Sequence, residues 1–348
     1  MADAHALDLG RLVPWLRANV PGAQGEIMVE KFPGGQSNPT YAVAVEGVRR
    51  FVLRKKPPGV LLPSAHAVER EYRITRALAD TDVPVARPLA LCEDPEVVGT
   101  PFFVMTYAAG RNFWDPRLPG QTAAERAAIY DEMNRVIAAI HGVDPAAAGV
   151  DDFGPPGDYF ARQAKRWTKQ YRASETQPIE AMERLIEWLP ANNPGRTARR
   201  VVHGDFRNDN MIFAGDAPRV LAVIDWELST IGDPLADLAG HMMIWRLAPG
   251  DHRGLVGEDL AALGIPDEAS YLRRYAERTG GAPPGAAEWR YALALAFFRD
   301  AAIRQGIVRR ALDGNASNPQ ALAFGERASA IAGLAWRIAQ GDTDATLG

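Results

Sequence analysis

The apolar residues of this chain change their spacing once, between residues 107 and 121, and that change limits the fold more than any other feature. Before it, short β-branched or aromatic runs alternate with turns: "EIMVEKF", "TYAVAVEG", "RRFVLRKKPPG", "ARPLALCED" and "TPFFVMTYAAG" read as strands. Two helices accompany them. "LDLGRLVPWLRANV" carries Leu9, Leu12, Trp15 and Leu16 at helical spacing, with Pro14 expected in the first turn or at a bend; "SAHAVEREYRITRALAD" has Ser64 as its expected cap. From Gln121 the 3.6-residue period takes over, in "TAAERAAIYDEMNRVIAAIHGV", "DYFARQAKRWTKQYRA", "PIEAMERLIEWL", "PLADLAGHMMIWRL", "EASYLRRYAERTG", "EWRYALALAFFRDAAIRQGIVRRAL" and "NPQALAFGERASAIAGLAWRIAQ". The pattern predicts an α+β chain with a strand-rich first lobe, residues 1–107, and a helical second lobe, residues 108–348.

Composition excludes several function classes. With 348 residues, 47% hydrophobic and 24% charged, the chain can bury the core of two lobes and does not read as disordered. A net charge of -4 gives no global signature of a nucleic-acid partner. A single cysteine, Cys92, rules out an internal disulfide framework and suits a reducing compartment. No segment reaches the apolar length of a membrane span, and the start "MADAHALDLGRLVPWL" lacks a basic region followed by an apolar core, so a cytoplasmic protein without a membrane partner is expected.

The chemistry concentrates in "RVVHGDFRNDNMIF". Two short strands, 200–202 and 220–225, bracket a polar loop that collects Asp205 and Asn210, with Asp225 at the end of the second strand in "VIDWE". Two carboxylates and an amide oxygen are the hard oxygen ligands of Mg²⁺, and Mg²⁺ points to phosphate. His203, Asp205 and Asn210 spell H-x-D-x-x-x-x-N, the spacing in which an aspartate receives a hydroxyl proton and an asparagine five residues on holds metal.

On "HGDFRNDN" and "IDWELSTIGDPLADLA" the chain resembles the phosphotransferases of the aminoglycoside phosphotransferase and choline kinase group, along nearly its whole length. More narrowly, "GGQSNPTY", "FVLRKKPPG", "LLPSAHAVEREY", "LCED", "GTPFFVM" and "QGIVRRALDGNAS" resemble the kinase-like portion at the front of long acyl-CoA dehydrogenase family proteins and free-standing bacterial relatives. The resemblance implies a protein-kinase-like two-lobed fold, a small antiparallel-sheet N-lobe plus a mostly helical C-lobe. It also implies ATP and Mg²⁺ as cofactors and a small hydroxyl substrate as acceptor. Asp205 would be the base, Asn210 and Asp225 the Mg²⁺ ligands, and Arg207 a cation facing the transferred phosphate. Glu227 would reach a second metal through water or orient substrate, and Asp237 would brace the catalytic loop from the following helix.

The nucleotide half is expected in the first lobe. "PGGQSNPTY" departs from a kinase glycine loop, yet Gly34 and Gly35 permit a tight turn whose amides, through Gln36, Ser37 and Asn38, face phosphate. In "VLRK" Arg54 occupies the phosphate-binding lysine position and Lys55 faces the other way; Glu71 of "VEREY" is the expected partner of Arg54, and Met105, Thr106 and Tyr107 the adenine hinge.

Two rivals follow from the same residues: a catalytically silent nucleotide-binding module, suggested by the altered glycine loop and Arg54, and a metal-dependent phosphoesterase. Six histidines without an H-x-H pair weaken the second. For the acceptor, Arg162, Lys165, Arg166, Lys169 and Arg172 recur at helical spacing beside Tyr159, Trp167 and Tyr171, which is either a solvated face or a cationic surface for an anionic substrate. The resemblance points to hydroxyacyl-CoA, with aminoglycoside, choline or homoserine as other acceptors.

Overall fold

A computed structural model describes residues 7–33, 38–58, 67–250, 253–314 and 327–347. Its packing divides the chain into two compact units. The first holds residues 1–112, 147–150 and 210–229, and the second holds 113–146, 151–209 and 230–348.

In the first unit, β1 (Ile27–Lys31), β2 (Thr40–Val45), β3 (Val48–Lys55), β4 (Pro88–Cys92) and β5 (Phe102–Thr106) form one antiparallel sheet ordered β1-β2-β3-β5-β4. The β2–β3 hairpin turns in two residues, Glu46 and Gly47, both at positive φ, and this mirror-image turn matches the twist of the paired strands. Helix α1 (Leu9–Asn19) buries Leu12 and Leu16 in a core with Val43, Leu53, Phe102 and Val104, where Trp15 meets Phe102 edge-on at 4.8 Å. Each such side chain contributes roughly 1.5–3 kcal/mol when fully buried. Pro14 lies in the interior of α1 and not in its first turn, so the helix forgoes one backbone hydrogen bond there. Cys92 joins this core, and burial pushes its thiol up, away from the reactive thiolate.

Helix α2 (Val68–Leu78) follows β3; the expected cap Ser64 lies outside the described residues. A four-residue helix, α3 (Pro95–Val98), capped by Asp94 and closed by Gly99 in the left-handed region, was not expected from the sequence because a single turn is too short for an apolar period to repeat.

The second unit is helical: α4 (Ala123–Gly142), α5 (Tyr159–Ser174), α6 (Glu180–Ala191), α7 (Pro234–Met242), α8 (Leu260–Leu263), α9 (Glu268–Thr279), α10 (Ala286–Leu312) and α11 (Ala328–Ala339). Helix α10, about 40 Å long at 1.5 Å per residue, packs against α5, α6, α7 and α11, which is why its apolar residues occupy most of its circumference. None of the described helices is long and apolar enough to cross a membrane.

Two short ribbons carry the polar loop. In the second unit, β6 (Arg200–Val202) pairs with β9 (Thr230–Gly232); in the first, β7 (Met211–Phe213) pairs with β8 (Val220–Val223). The second of the strands expected around the loop therefore ends at Val223 and not at 225, because Asp225 adopts left-handed backbone angles that no strand accommodates.

Candidate active site

Within the first unit the site is built around Arg54. Strand alternation aims this side chain at α2, where Arg54 Nε lies 2.9 Å from Glu71 Oε2, and its Nη2 lies 2.7 Å from Asp225 Oδ1 and 3.8 Å from Glu227. Exposures of 14% for Arg54 and 3% for Glu71 take this pair out of the class of surface ion pairs. Burial works against the Arg54 charge, but the Glu71 and Asp225 carboxylates outweigh it and hold the guanidinium above its ordinary value. Burial pushes Glu71 up to about 7, against the pull of Arg54 and helped by Asp225 and Glu227. Asn38, fully buried, donates from Nδ2 to Glu71 Oε1 at 2.8 Å, while its Oδ1 has no hydrogen-bond partner among the described residues. Lys55, the next residue of β3, is buried on the opposite face.

The β7–β8 ribbon brings metal-type ligands to the same unit. Met211 pairs with Val223, and the Ile224 amide donates to the Asn210 carbonyl at 2.9 Å, so Asn210 and Asp225 sit at adjacent ends of two paired strands. Asp225 stands at φ +67°, a strained conformation that an aspartate tolerates better than most residues. A carboxylate that is 35% exposed and bound on one side by Arg54, with Glu227 and the Asn210 amide beside it in sequence and register, is a donor set that fits a hard divalent cation.

Within the second unit the loop after β6 is tied down through its backbone. Asp237 of α7 accepts from the amides of His203 at 2.7 Å and Gly204 at 2.8 Å, and His141 Nε2 lies 3.3 Å away. The helix cap is the neighbouring Asp233, which accepts from the Leu235 amide. Gly204 has φ +84°, a turn that suits glycine and leads straight into Asp205. The Asp205 amide donates to His203 Nδ1 at 3.2 Å, and its carboxylate stays partly open, 3.2 Å from Arg207 Nε. Arg207 also reaches Asp209 at 3.3 Å, and Asp209 is held by Arg253 at 3.1 Å. Asn208 Nδ2 donates to the Phe113 carbonyl at 2.6 Å.

A family match decides what this arrangement belongs to: residues 29–289 match the phosphotransferase enzyme family. The chain is a member of that family. It is 49% identical over 317 residues to mouse (Mus musculus) acyl-CoA dehydrogenase family member 10, a match covering 90% of this chain but 29% of that protein's length. A solved structure from Ralstonia eutropha JMP134, of a candidate aminoglycoside phosphotransferase, is 50% identical with a TM-score of 0.88, covering 96% of this chain and 99% of that one. The aminoglycoside phosphotransferase APH(4)-Ia, solved with ADP and hygromycin B, shares the fold at 18% identity and a TM-score of 0.59, over 91% of this chain and 96% of that one. The kinase-like α+β fold expected from the sequence is the fold of this phosphotransferase.

The phosphotransferase thus gathers Asn38, Arg54, Glu71, Asp225 and Glu227 into one cluster of its first unit, with Asn210 at the ribbon end. Asp205 and Arg207 belong to a separate cluster with Asp209 and Arg253 in the second. Gly34, Gly35, Gln36 and Ser37 lie outside the described residues. Of the hinge residues, Met105 pairs across the sheet with Val52, while the amides of Thr106 and Tyr107 donate to the carbonyls of Arg87 and Arg50, so these two N–H groups are already engaged within the protein.

Sequence reasoning missed His141, Asp209, Arg253 and His241, because single polar residues in apolar helices or loops carry no spacing signal. His241 of α7 is buried against Phe206, Trp245 and Tyr271, with Nε2 2.8 Å from the Tyr271 hydroxyl. Burial lowers its pKa to about 4, against a hydrogen bond to the Phe206 backbone. A folded pKa below the unfolded value of about 6.5 means that the unfolded chain binds the extra proton first. The resulting stability is complete above pH 6.5 and is lost as the pH falls toward 4, by about 2 kcal/mol at pH 5. Thermal unfolding at pH 7 and pH 5 is therefore expected to show a larger drop for the native chain than for His241→Gln. Equal drops would show that this histidine does not set the acid sensitivity.

Proposed function

We propose that this phosphotransferase is a two-lobed small-molecule kinase that uses Mg·ATP and phosphorylates the hydroxyl of a CoA-linked acceptor, a hydroxyacyl-CoA. The observation that carries the ATP half is the buried Arg54–Glu71 pair continued onto Asp225 and Glu227. A guanidinium fixed by a buried carboxylate offers its remaining donors in one direction, which suits a phosphate chain.

Asp205 takes the proton of the acceptor hydroxyl as the new O–P bond forms and the bond to the β-phosphate oxygen breaks, releasing ADP. Its partial exposure, beside the Arg207 guanidinium, supports that assignment. Asn210, Asp225 and, through water, Glu227 hold Mg²⁺, which when bound neutralises charge on the β- and γ-phosphate oxygens. Arg54 binds phosphate, with Glu71 keeping it oriented. Arg207 faces the transferred group, and Asn38, bonded to Glu71, stands on the phosphate side of Arg54. Adenine lies along the segment from Met105 through Thr106 to Tyr107. With the Thr106 and Tyr107 amides engaged, the purine contacts there are to carbonyls and side chains.

The ADP complex of APH(4)-Ia supports nucleotide use, and the likeness to acyl-CoA dehydrogenase family member 10 supports an acyl-CoA acceptor. Radiolabelled ATP presented with a panel of 3-, 4- and 5-hydroxyacyl-CoAs, choline, homoserine and an aminoglycoside tests the assignment, with the product identified by mass spectrometry. Label in a hydroxyacyl-CoA is expected. Label confined to the other acceptors would remove the CoA-linked substrate, and ATP binding without transfer to any of them would leave a silent module.

A further inference from the structure

Helix α5 carries five cations, and their environments separate them. Arg162 donates to the carbonyls of Pro156 and Gly157 at 2.8 and 2.7 Å, fixing the turn before the helix, and Arg172 is bound by Glu175 and Glu183. These two have structural partners. Arg166 differs: no carboxylate among the described residues lies within ion-pair distance of it, and its guanidinium stands 5.3 Å from the centre of the Trp167 indole. Arg299 of α10 approaches the same ring, at 5.4 Å, and also has no ion-pair partner among the described residues.

Two guanidiniums from different helices thus share one aromatic ring that is 7% exposed and held by its own Nε1–H donating to Gln163 at 3.1 Å. Nearby acids do not neutralise them. Asp300, adjacent to Arg299, is bound to Arg304 at 2.9 Å, and Asp158 caps α5 and accepts from Asn193. Two positive charges on one indole repel each other, and an arriving anion relieves that repulsion while gaining charge-assisted hydrogen bonds.

The N-terminal end of the same helix meets the ribbon that leads into the loop carrying Asp205. Tyr159, at the start of α5, packs on Gly232: a Cβ built there would lie 2.6 Å from the tyrosine ring, so only glycine fits. Gly232 ends β9, whose partner β6 leads into His203 and Gly204, and it precedes α7, whose Asp237 holds the amides of those two residues. Burial pushes the Tyr159 hydroxyl up to about 12, with the charges of Arg299, Arg166 and Arg162 pulling it back and that of Asp237 opposing them. The phenol therefore stays a hydrogen-bond donor at neutral pH, within electrostatic reach of both the cations and the loop's anchor.

We propose that Arg166 and Arg299, flanking Trp167, form an anion subsite that binds the phosphate-bearing end of the acceptor. The inference deepens the reading of this chain as a kinase for a CoA-linked alcohol and rests on it. It also makes the site unfavourable for a polycation such as an aminoglycoside, which would meet two unneutralised guanidiniums.

The test is calorimetric binding without turnover, on the full chain saturated with Mg²⁺ and a non-hydrolysable ATP analogue so that the nucleotide site is filled. Three probes separate the sources of affinity: coenzyme A, pantetheine, which lacks the phosphates, and inorganic pyrophosphate, which lacks everything else. Coenzyme A is expected to bind more tightly than either of the other two. Arg166→Gln with Arg299→Gln is expected to weaken it by about tenfold or more, the loss of charge-assisted pairs to a dianion, with affinity for the ATP analogue unchanged. Arg166→Gln alone, at an exposed position, provides a variant whose folding is not at risk and is expected to give part of the loss. Unchanged coenzyme A affinity in the double variant overturns the subsite, as does pantetheine binding as tightly as coenzyme A. Pyrophosphate binding as tightly as coenzyme A overturns the acceptor assignment, leaving a site for free phosphate. Because no phosphoryl transfer is measured, failure here is distinguishable from failure of the kinase assignment, which Asp205 variants read.

Discussion

Replacing Asp205 with alanine is expected to lower the phosphoryl-transfer rate by about a thousandfold, in line with the loss of a positioned general base, while nucleotide affinity and thermal stability stay close to those of the native chain. The stability half follows from geometry. The Asp205 carboxylate is 32% exposed and Arg207 beside it is 48% exposed, so truncation leaves that guanidinium in contact with water. Asp225→Ala makes the contrast. Its carboxylate is bound by Arg54 at 2.7 Å, so its loss removes a proposed metal ligand and one of the anions that hold that guanidinium in place. Weaker Mg·nucleotide binding is therefore expected together with lost turnover. The two variants are compared by single-turnover transfer from radiolabelled ATP and by calorimetry with Mg·ADP. Full turnover in Asp205→Ala would overturn its assignment as the base, and undiminished Mg·ADP affinity in Asp225→Ala would remove it from the metal site.

The apolar pattern made much of the architecture legible. The five strands of the first unit's sheet are legible as short β-branched and aromatic runs between turns, and not as a period of two in burial, since β2 buries five of its six residues. The Arg54–Glu71 pair was also legible: the resemblance of "VLRK" to the kinase strand picks out Arg54, and strand alternation then turns Lys55 to the other face. What the spacing did not reveal is how the polar loop is shared. Its two strands belong to different ribbons, β6 with β9 and β7 with β8, and the short β9 has no apolar run long enough to signal a strand. Nor did the stripe of cations on α5 disclose which of them are engaged. Arg162 and Arg172 find partners through a turn and a neighbouring helix, contacts that depend on packing and not on spacing along α5. Arg299 lies more than a hundred residues from Trp167 in sequence, and no local pattern links them.

Asp237→Ala is expected to destabilise the fold by about 3 kcal/mol, the cost of leaving buried donors without their acceptor. The carboxylate is 6% exposed and accepts from two backbone amides, His203 and Gly204, with His141 as a third partner that is itself 2.7 Å from the Tyr275 hydroxyl. Alanine leaves two N–H groups and an imidazole facing a cavity. Burial pushes the Asp237 carboxyl up, but the bonds and charges of His141 and His203 outweigh it and hold the group below the usual carboxylate range. With a folded pKa depressed below the unfolded value of about 3.8, this contribution is complete above pH 3.8 and is lost only as the pH falls through the folded pKa. Loss of stability between pH 6.5 and 4 is therefore expected from His241, and the Asp237 contribution outlasts it. The effect on catalysis is expected to exceed the unfolded fraction, because Gly204, whose left-handed turn directly precedes Asp205, donates its backbone N–H to the Asp237 carboxylate. The measurement pairs urea unfolding of Asp237→Ala with kcat at a temperature where circular dichroism shows it folded. A destabilised variant that keeps native kcat when folded would make Asp237 a purely structural residue. A fall in kcat with KM for ATP unchanged is the result expected of a residue that positions Asp205 without touching the nucleotide.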